Sequence, residues 1–113
     1  MRAETLKGHL DGLLLASLED GPRHGYSVIE ELRAVSGGQL DLPTGTVYPA
    51  LHRLETAGLI QGRWSVVAGR RRRAYQLTAK GRRALSKERA AWTRFAAVVG
   101  SVLEGRQPCP DPT

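Results

Sequence analysis

Leu6, Leu10, Leu13, Leu14 and Leu18 recur at helical spacing and predict an amphipathic helix from about Thr5 to Glu19, ended by the Gly21-Pro22 pair. Gly8 and Gly12 lie one turn apart within it. Each costs ~1 kcal/mol relative to Ala in a helix interior, which points either to close approach of another helix or to local fraying. Tyr26, Val28, Ile29, Leu32 and Val35 form the apolar set of a second helix, from roughly His24 to Val35, which Gly37-Gly38 stops. Gln39 to Leu42 reads as a short extended connector. A third helix spans about Pro43 to Ala57, since the fixed φ of Pro43 suits a first turn. Val47, Leu51 and Leu54 line its buried face at i, i+4 and i+7, while Thr44, Thr46, Pro49, His52 and Arg53 fall on other faces.

Beyond Gly58 the residue types change. β-Branched and aromatic residues mark Leu59 to Val67 and again Arg73 to Thr78, and between them lies Ala68-Gly69-Arg70-Arg71-Arg72, a turn followed by charge. This predicts a β-hairpin with a basic tip. Thr78 is placed to cap a long final helix reaching about Leu103. Within that helix Leu85, Trp92 and Val99 are spaced by seven, as are Phe95 and Val102; they alternate as the a and d positions of a short heptad seam, with Glu88 at one d position. Gly105 onward, with Pro108, Pro110 and Pro112, reads as a disordered tail. The order is helix, helix, short strand, helix, hairpin, long helix. The predicted fold is therefore mainly α with a small β-hairpin. It divides into a winged helix-turn-helix unit over 1–78, a dimerisation helix over 79–104 and a tail over 105–113.

Charge sharpens this picture. The 113-residue chain carries a formal net charge of +6, but residues 1–57 hold five Lys/Arg against eight Asp/Glu. Residues 58–83 hold eight Lys/Arg and no acid, and the remainder is nearly balanced with four and three. The basicity belongs to the hairpin and its surroundings, which makes a polyanion the first partner to consider. No apolar stretch approaches the ~20 residues of a membrane span. The apolar run after Arg2, Glu4 and Lys7 is broken by Asp11 and Gly12, unlike a signal peptide. Cys109 is the only cysteine, so neither an intrachain disulfide nor a Cys-based metal site is expected, and the chain suits the cytoplasm. His9, His24 and His52 lack metal-ligand spacing and read as structural or surface residues. No phosphate loop, zinc signature or nucleophile–base pair suggests an enzyme, and no cofactor is expected.

Three short helices followed by a hairpin form the winged-helix arrangement. The third helix enters a major groove with its first residues near base edges; Thr44 and Thr46 are short enough to reach phosphates or bases, and Gly45 removes the side chain between them. Arg70, Arg71, Arg72 and Arg73 lie against the backbone or the adjacent minor groove, where planar guanidinium forks bind phosphate well. Tyr48 has two roles open to it, packing its ring on the hairpin and presenting its hydroxyl to a phosphate. Tyr26 and Tyr75 read as core or structural. An interaction module would not need so basic a hairpin, and an RNA module would display more stacking aromatics than Trp64 and Tyr75.

An ordered set of motifs also resembles the PadR family of winged-helix regulators. It runs from Leu6-Lys7-Gly8 through Gly21-Pro22-Arg23-His24-Gly25-Tyr26 and Gly45-Thr46-Val47-Tyr48-Pro49-Ala50-Leu51-His52-Arg53-Leu54-Glu55 to Gly58-Leu59-Ile60. It ends with Gly69-Arg70, Tyr75 and Leu77-Thr78-Ala79-Lys80-Gly81. The single carboxy-terminal helix resembles the short subgroup. The resemblance implies a homodimeric repressor on a palindromic double-stranded operator, with contacts from Thr44, Gly45, Thr46, Tyr48 and Pro49 and, in the wing, Arg70 and Arg72. Arg53, Arg71 and Arg73 complete the candidate DNA-binding set. The resemblance also implies pairing through the last helix and the first, which places Leu6, Leu10, Leu13, Leu85, Trp92, Phe95, Val99 and Val102 at the dimer seam. Some members release DNA on binding an aromatic or lipophilic small molecule, and Trp92 either closes the seam or frames such a pocket. Where family wings often carry Pro between two basic residues and an aromatic before the final Tyr, this chain has Arg71 and Ala74.

Overall fold

In the computed structural model, which describes residues 3–6 and 8–105, the first predicted helix is divided. A 3-10 turn over Ala3–Leu6 gives way at Gly8, whose φ of +87° lies in the left-handed region, and α1 begins only at Leu10 (Leu10–Ser17). A side chain at that φ would cost about 1–2 kcal/mol. Gly12 lies within α1. A Cβ there would stand 3.4–3.5 Å from the Glu88 side chain, ordinary van der Waals contact, so the last helix packs closely at this point without requiring a glycine. Gly8 breaks the helix rather than fraying it.

The short strand also lies elsewhere than expected. It is β1 (Arg23–His24), which precedes α2 (Gly25–Val35) and pairs antiparallel with the hairpin, placing Arg23 opposite Tyr75 and His24 opposite Ala74. Residues 39–42 form no strand; Leu42 is instead turned into the core. The reason is geometric. The outer edge of the hairpin's second strand is free, and the chain leaving α1 passes along it.

α3 (Thr44–Thr56) buries Val47, Ala50, Leu51 and Leu54, the predicted face with one residue added. It closes with the paired bonds of a Schellman motif, Leu59 N–H to the Leu54 carbonyl at 3.0 Å and Gly58 N–H to the Glu55 carbonyl at 2.9 Å. β2 (Ile60–Val67) and β3 (Arg70–Leu77) then pair in register from Ile60 with Leu77 out to Val67 with Arg70, giving the sheet order β1-β3-β2. Thr78 caps α4 (Ala79–Leu103), its Oγ1 accepting the Gly81 N–H at 3.0 Å.

The core draws Leu14, Leu15 and Leu18 from α1, Val28, Ile29 and Leu32 from α2, the α3 face, and Ile60, Tyr75 and Leu77 from the sheet. Two members of the predicted α2 set lie outside it: Tyr26 and Val35 are exposed, because the buried stripe runs through positions 28, 29 and 32 and the helix ends where its next turn would reach the core. α4 is anchored only at its start. Leu85 is buried, the Lys80 ammonium donates to the Ala57 carbonyl at 2.8 Å, and Arg89 forms a fork onto Glu19. Past Phe95 the helix projects, which explains a molecule 73 Å long and only 29 by 21 Å across. Of the expected tail over 105–113, residues 106–113 with Cys109 lie outside the described residues.

Candidate nucleic-acid interface

The first half of α3 presents its polar side outward. Thr44, Gly45, Tyr48 and Pro49 are exposed and Thr46 is half-buried, while the residues between them enter the core. Nothing lies within 4 Å of where a Gly45 side chain would begin, so this end is open to a partner. Pro49, inside the helix, lacks an N–H and leaves the Gly45 carbonyl without its usual i+4 donor.

The Tyr48 ring lies across Gly25, where any Cβ would come within 2.5 Å of Cε1. The glycine of the His24-Gly25-Tyr26 motif thus makes room for a ring from the next helix. Tyr48 remains 42 % exposed, enough to keep its outer edge available.

Arg53 is not free. Its guanidinium makes a fork onto the Asp11 carboxylate at 2.8 and 2.9 Å, tying α3 to α1. Both side chains are about half exposed, so the pair contributes at most ~1 kcal/mol.

The hairpin turn is tighter than expected, and it moves the arginines. Ala68 and Gly69 alone make the loop, with φ of +51° and +77°, the signature of a two-residue primed turn. Arg70 to Arg73 therefore belong to a strand, not a tip, and alternate between its faces. Register places Arg71 and Arg73 with Trp64, Val66 and Tyr75 on one side. Arg70 and Arg72 share the other side with Arg63 of β2.

These two sets have different surroundings. Arg71 and Arg73 lie over the Trp64 ring at 4.8 and 5.5 Å from its centroid, close enough for cation–π attraction. Arg73 also forms an ion pair with Glu55 of α3, and the same carboxylate accepts the Gly62 N–H at 3.0 Å. Burial pushes the Glu55 carboxyl up, but the Gly62 amide and the Arg73 guanidinium outweigh it and hold the group below the ordinary carboxylate value. Burial likewise raises the Tyr75 phenol. Arg63, Arg70 and Arg72 form no ion pair among the described residues. Arg63 was not among the sequence candidates; its position in the acid-free block, on one face of the strand with Gln61 and Ser65, was the available signal.

The second candidate region lies along α4. Leu6 and Leu85 are buried, Leu10 and Leu13 partly so, and Val99 is half-buried, whereas Trp92 and Phe95 are each 53 % exposed and Val102 more so. Between α1 and α4 runs a groove of about 700 Å³, lined chiefly by Leu6, Leu13, Leu40, Leu85, Trp92 and Phe95. His9, read from sequence as a structural or surface residue, meets the Trp92 ring edge-on with centroids 5.3 Å apart, and Trp92 and Phe95 are 5.8 Å apart. Among the described residues no cluster of His, Cys, Asp and Glu could hold a metal ion, and no helix is long and apolar enough to cross a membrane.

Residues 14–87 match the PadR-like family of transcriptional regulators. The chain belongs to that family. A transcriptional regulator of Mycobacterium tuberculosis is 40 % identical over 86 residues, covering 76 % of this chain and 78 % of its own. A PadR-like regulator from Bacillus cereus superposes with a TM-score of 0.80 at 27 % identity, over 92 % of this chain and all of the other. A PadR family regulator from Eggerthella lenta gives 0.77 at 29 %, over 91 % and 88 %. The PadR assignment makes this chain a transcriptional regulator and not an enzyme. Among the described residues, the four α-helices and three-stranded sheet are the winged-helix architecture of those structures.

Proposed function

We propose that this PadR-family chain is a homodimeric repressor that binds a palindromic duplex operator and is released by a flat, apolar small molecule. The observation that carries the proposal is the pairing of an open, polar first half of α3 with a strand whose Arg70 and Arg72 have no acidic partner among the described residues. A helix of this shape fits a major groove with Thr44, Gly45, Thr46, Tyr48 and Pro49 leading. The wing then meets the flanking backbone or minor groove, adding counterion release to the binding energy.

Dimerisation is supported by the exposed aromatic and aliphatic residues of α4, which would otherwise stay in water at a cost of roughly 25 cal/mol per Å². Trp92, Phe95, Val99 and Val102 would meet their partner copies, with Leu10 and Leu13 behind them; Leu6 and Leu85, expected at the seam, are buried in the protomer's own core instead. The groove beside Trp92 and Phe95 is apolar and large enough for a drug-sized effector. A regulator of this kind works in the cytoplasm, where the chromosome is.

The test is a titration against DNA from upstream of the chain's own gene, beside a scrambled duplex, repeated across salt. Tight binding to the first alone is expected, with a steep salt slope. The Arg70→Ala/Arg72→Ala double variant should weaken binding to both duplexes and flatten that slope by about two per subunit. Equal, weak binding to both duplexes would overturn sequence-specific recognition.

A further inference from the structure

Glu55 stands on the last turn of α3, with its side chain only 24 % exposed. One of its oxygens accepts the Gly62 N–H of β2 and the Arg73 guanidinium of β3. A single carboxylate therefore grips both strands of the hairpin. It does so where the hairpin leaves the core: residues 63–72 are all exposed, whereas Gly62 and Arg73 are not. Beyond the grip, Arg73 and Arg71 lie over Trp64, which carries the brace two residues further toward the turn. A Cβ at Gly62 would collide with the Arg73 guanidinium, so the bare backbone there is part of the same arrangement.

This acid is out of place for simple charge attraction. It touches a segment, residues 58–83, that has no acid of its own. At a DNA-binding surface its charge repels phosphate, and its removal by itself would strengthen binding.

We propose that Glu55 is a positioning residue for DNA binding: by clamping Gly62 and Arg73 it holds the wing at one angle to α3. The helix and the outer arginines Arg63, Arg70 and Arg72 then engage a duplex together. The proposal rests on the DNA-binding function above. Its physical basis is effective concentration. Once α3 is docked, a braced wing finds the backbone in a single step, whereas a hairpin pivoting at its base must be ordered at binding.

The two effects have opposite sign, which makes Glu55→Gln decisive. The duplex from upstream of the chain's own gene is titrated at several salt concentrations with the wild type, Glu55→Gln, Arg73→Lys and the Arg70→Ala/Arg72→Ala variant. Glu55→Gln is expected to weaken binding about tenfold. It should also lower the salt slope toward that of the double variant, although no cation has been removed. Arg73→Lys, which keeps the charge and loses the fork, should move the same way. Adding Glu55→Gln to the double variant should cost little more. Binding by Glu55→Gln as tight as wild type, or tighter, with the slope unchanged, overturns the proposal. So does weaker binding that tracks a lowered melting temperature with the slope unchanged, since that marks a purely structural role. A wild type that binds no duplex overturns the DNA-binding function itself, and the clamp with it.

Discussion

Ala68 and Gly69 show how much a single backbone angle decides. Both lie at positive φ, and only the second is glycine. The methyl group of Ala68 meets the steric penalty of the left-handed region, about 1 kcal/mol. Ala68→Gly should therefore raise stability by ~1 kcal/mol, several degrees in melting temperature for a domain of this size, as read by calorimetry. An unchanged or lowered melting temperature would show that the turn relaxes in solution. The same two residues determine which way four arginines face. A longer loop would have left Arg70 to Arg72 at a tip, whereas a two-residue turn commits them to strand alternation, so Arg71 and Arg73 turn toward Trp64 and Arg70 and Arg72 away. Sequence located the arginines within the hairpin; it did not divide them, because the start of β3 depends on where the turn closes.

At the scale of elements, the junctions are held by side chains reaching from one segment to another. Arg53 to Asp11 joins α3 with α1, Lys80 to the Ala57 carbonyl seats α4 on the end of α3, and Glu55 holds the hairpin. Because the Glu55 carboxyl lies below its ordinary value, the folded state favours its ionised form. Its contribution is complete above the ordinary carboxylate value and is lost as pH falls through the lower folded one. Arg73 stays charged throughout. The wing should accordingly loosen in acid, below the ordinary carboxylate range. Trp64 fluorescence in a Trp92→Phe background is expected to report that change, and the Glu55→Gln variant should not show it. A transition of the same size in Glu55→Gln would assign the acid response to other carboxylates. None of these junctions was legible in the chain, since their partners lie between seven and 42 residues apart. Periodicity speaks only for neighbours on one element.

For the whole molecule the decisive feature is a long helix anchored at one end. α4 keeps Leu85 in the core and sends Trp92, Phe95, Val98, Val102 and Leu103 into solvent. Such a stripe on a projecting helix is the kind of surface that homodimers bury. Trp92, which meets His9 and Phe95 within its own chain, stands at the start of that stripe and lines the groove beside α1. Trp92→Ala should weaken the dimer by about 2 kcal/mol, roughly 30-fold in dissociation constant, as followed by sedimentation. An intact dimer at concentrations where the variant should be half dissociated would place the seam elsewhere.

Sequence by itself determined the kind, number and order of the helices, the hairpin, the capping of α4 by Thr78 and the concentration of charge around the wing. These follow from local period, turn chemistry and composition, which act within a few residues. It also carried the PadR motifs, whose Gly25 is explained by the Tyr48 ring lying on it. Tertiary structure alone decided the rest: the break at Gly8, the strand at Arg23–His24 in place of one near Leu42, the outward turn of Tyr26 and Val35, and the division of the wing arginines. In each of these the outcome depends on which surface a distant segment brings alongside. A free strand edge, a core that ends one turn early and a carboxylate from another helix are properties of the packed chain, and no local pattern encodes them.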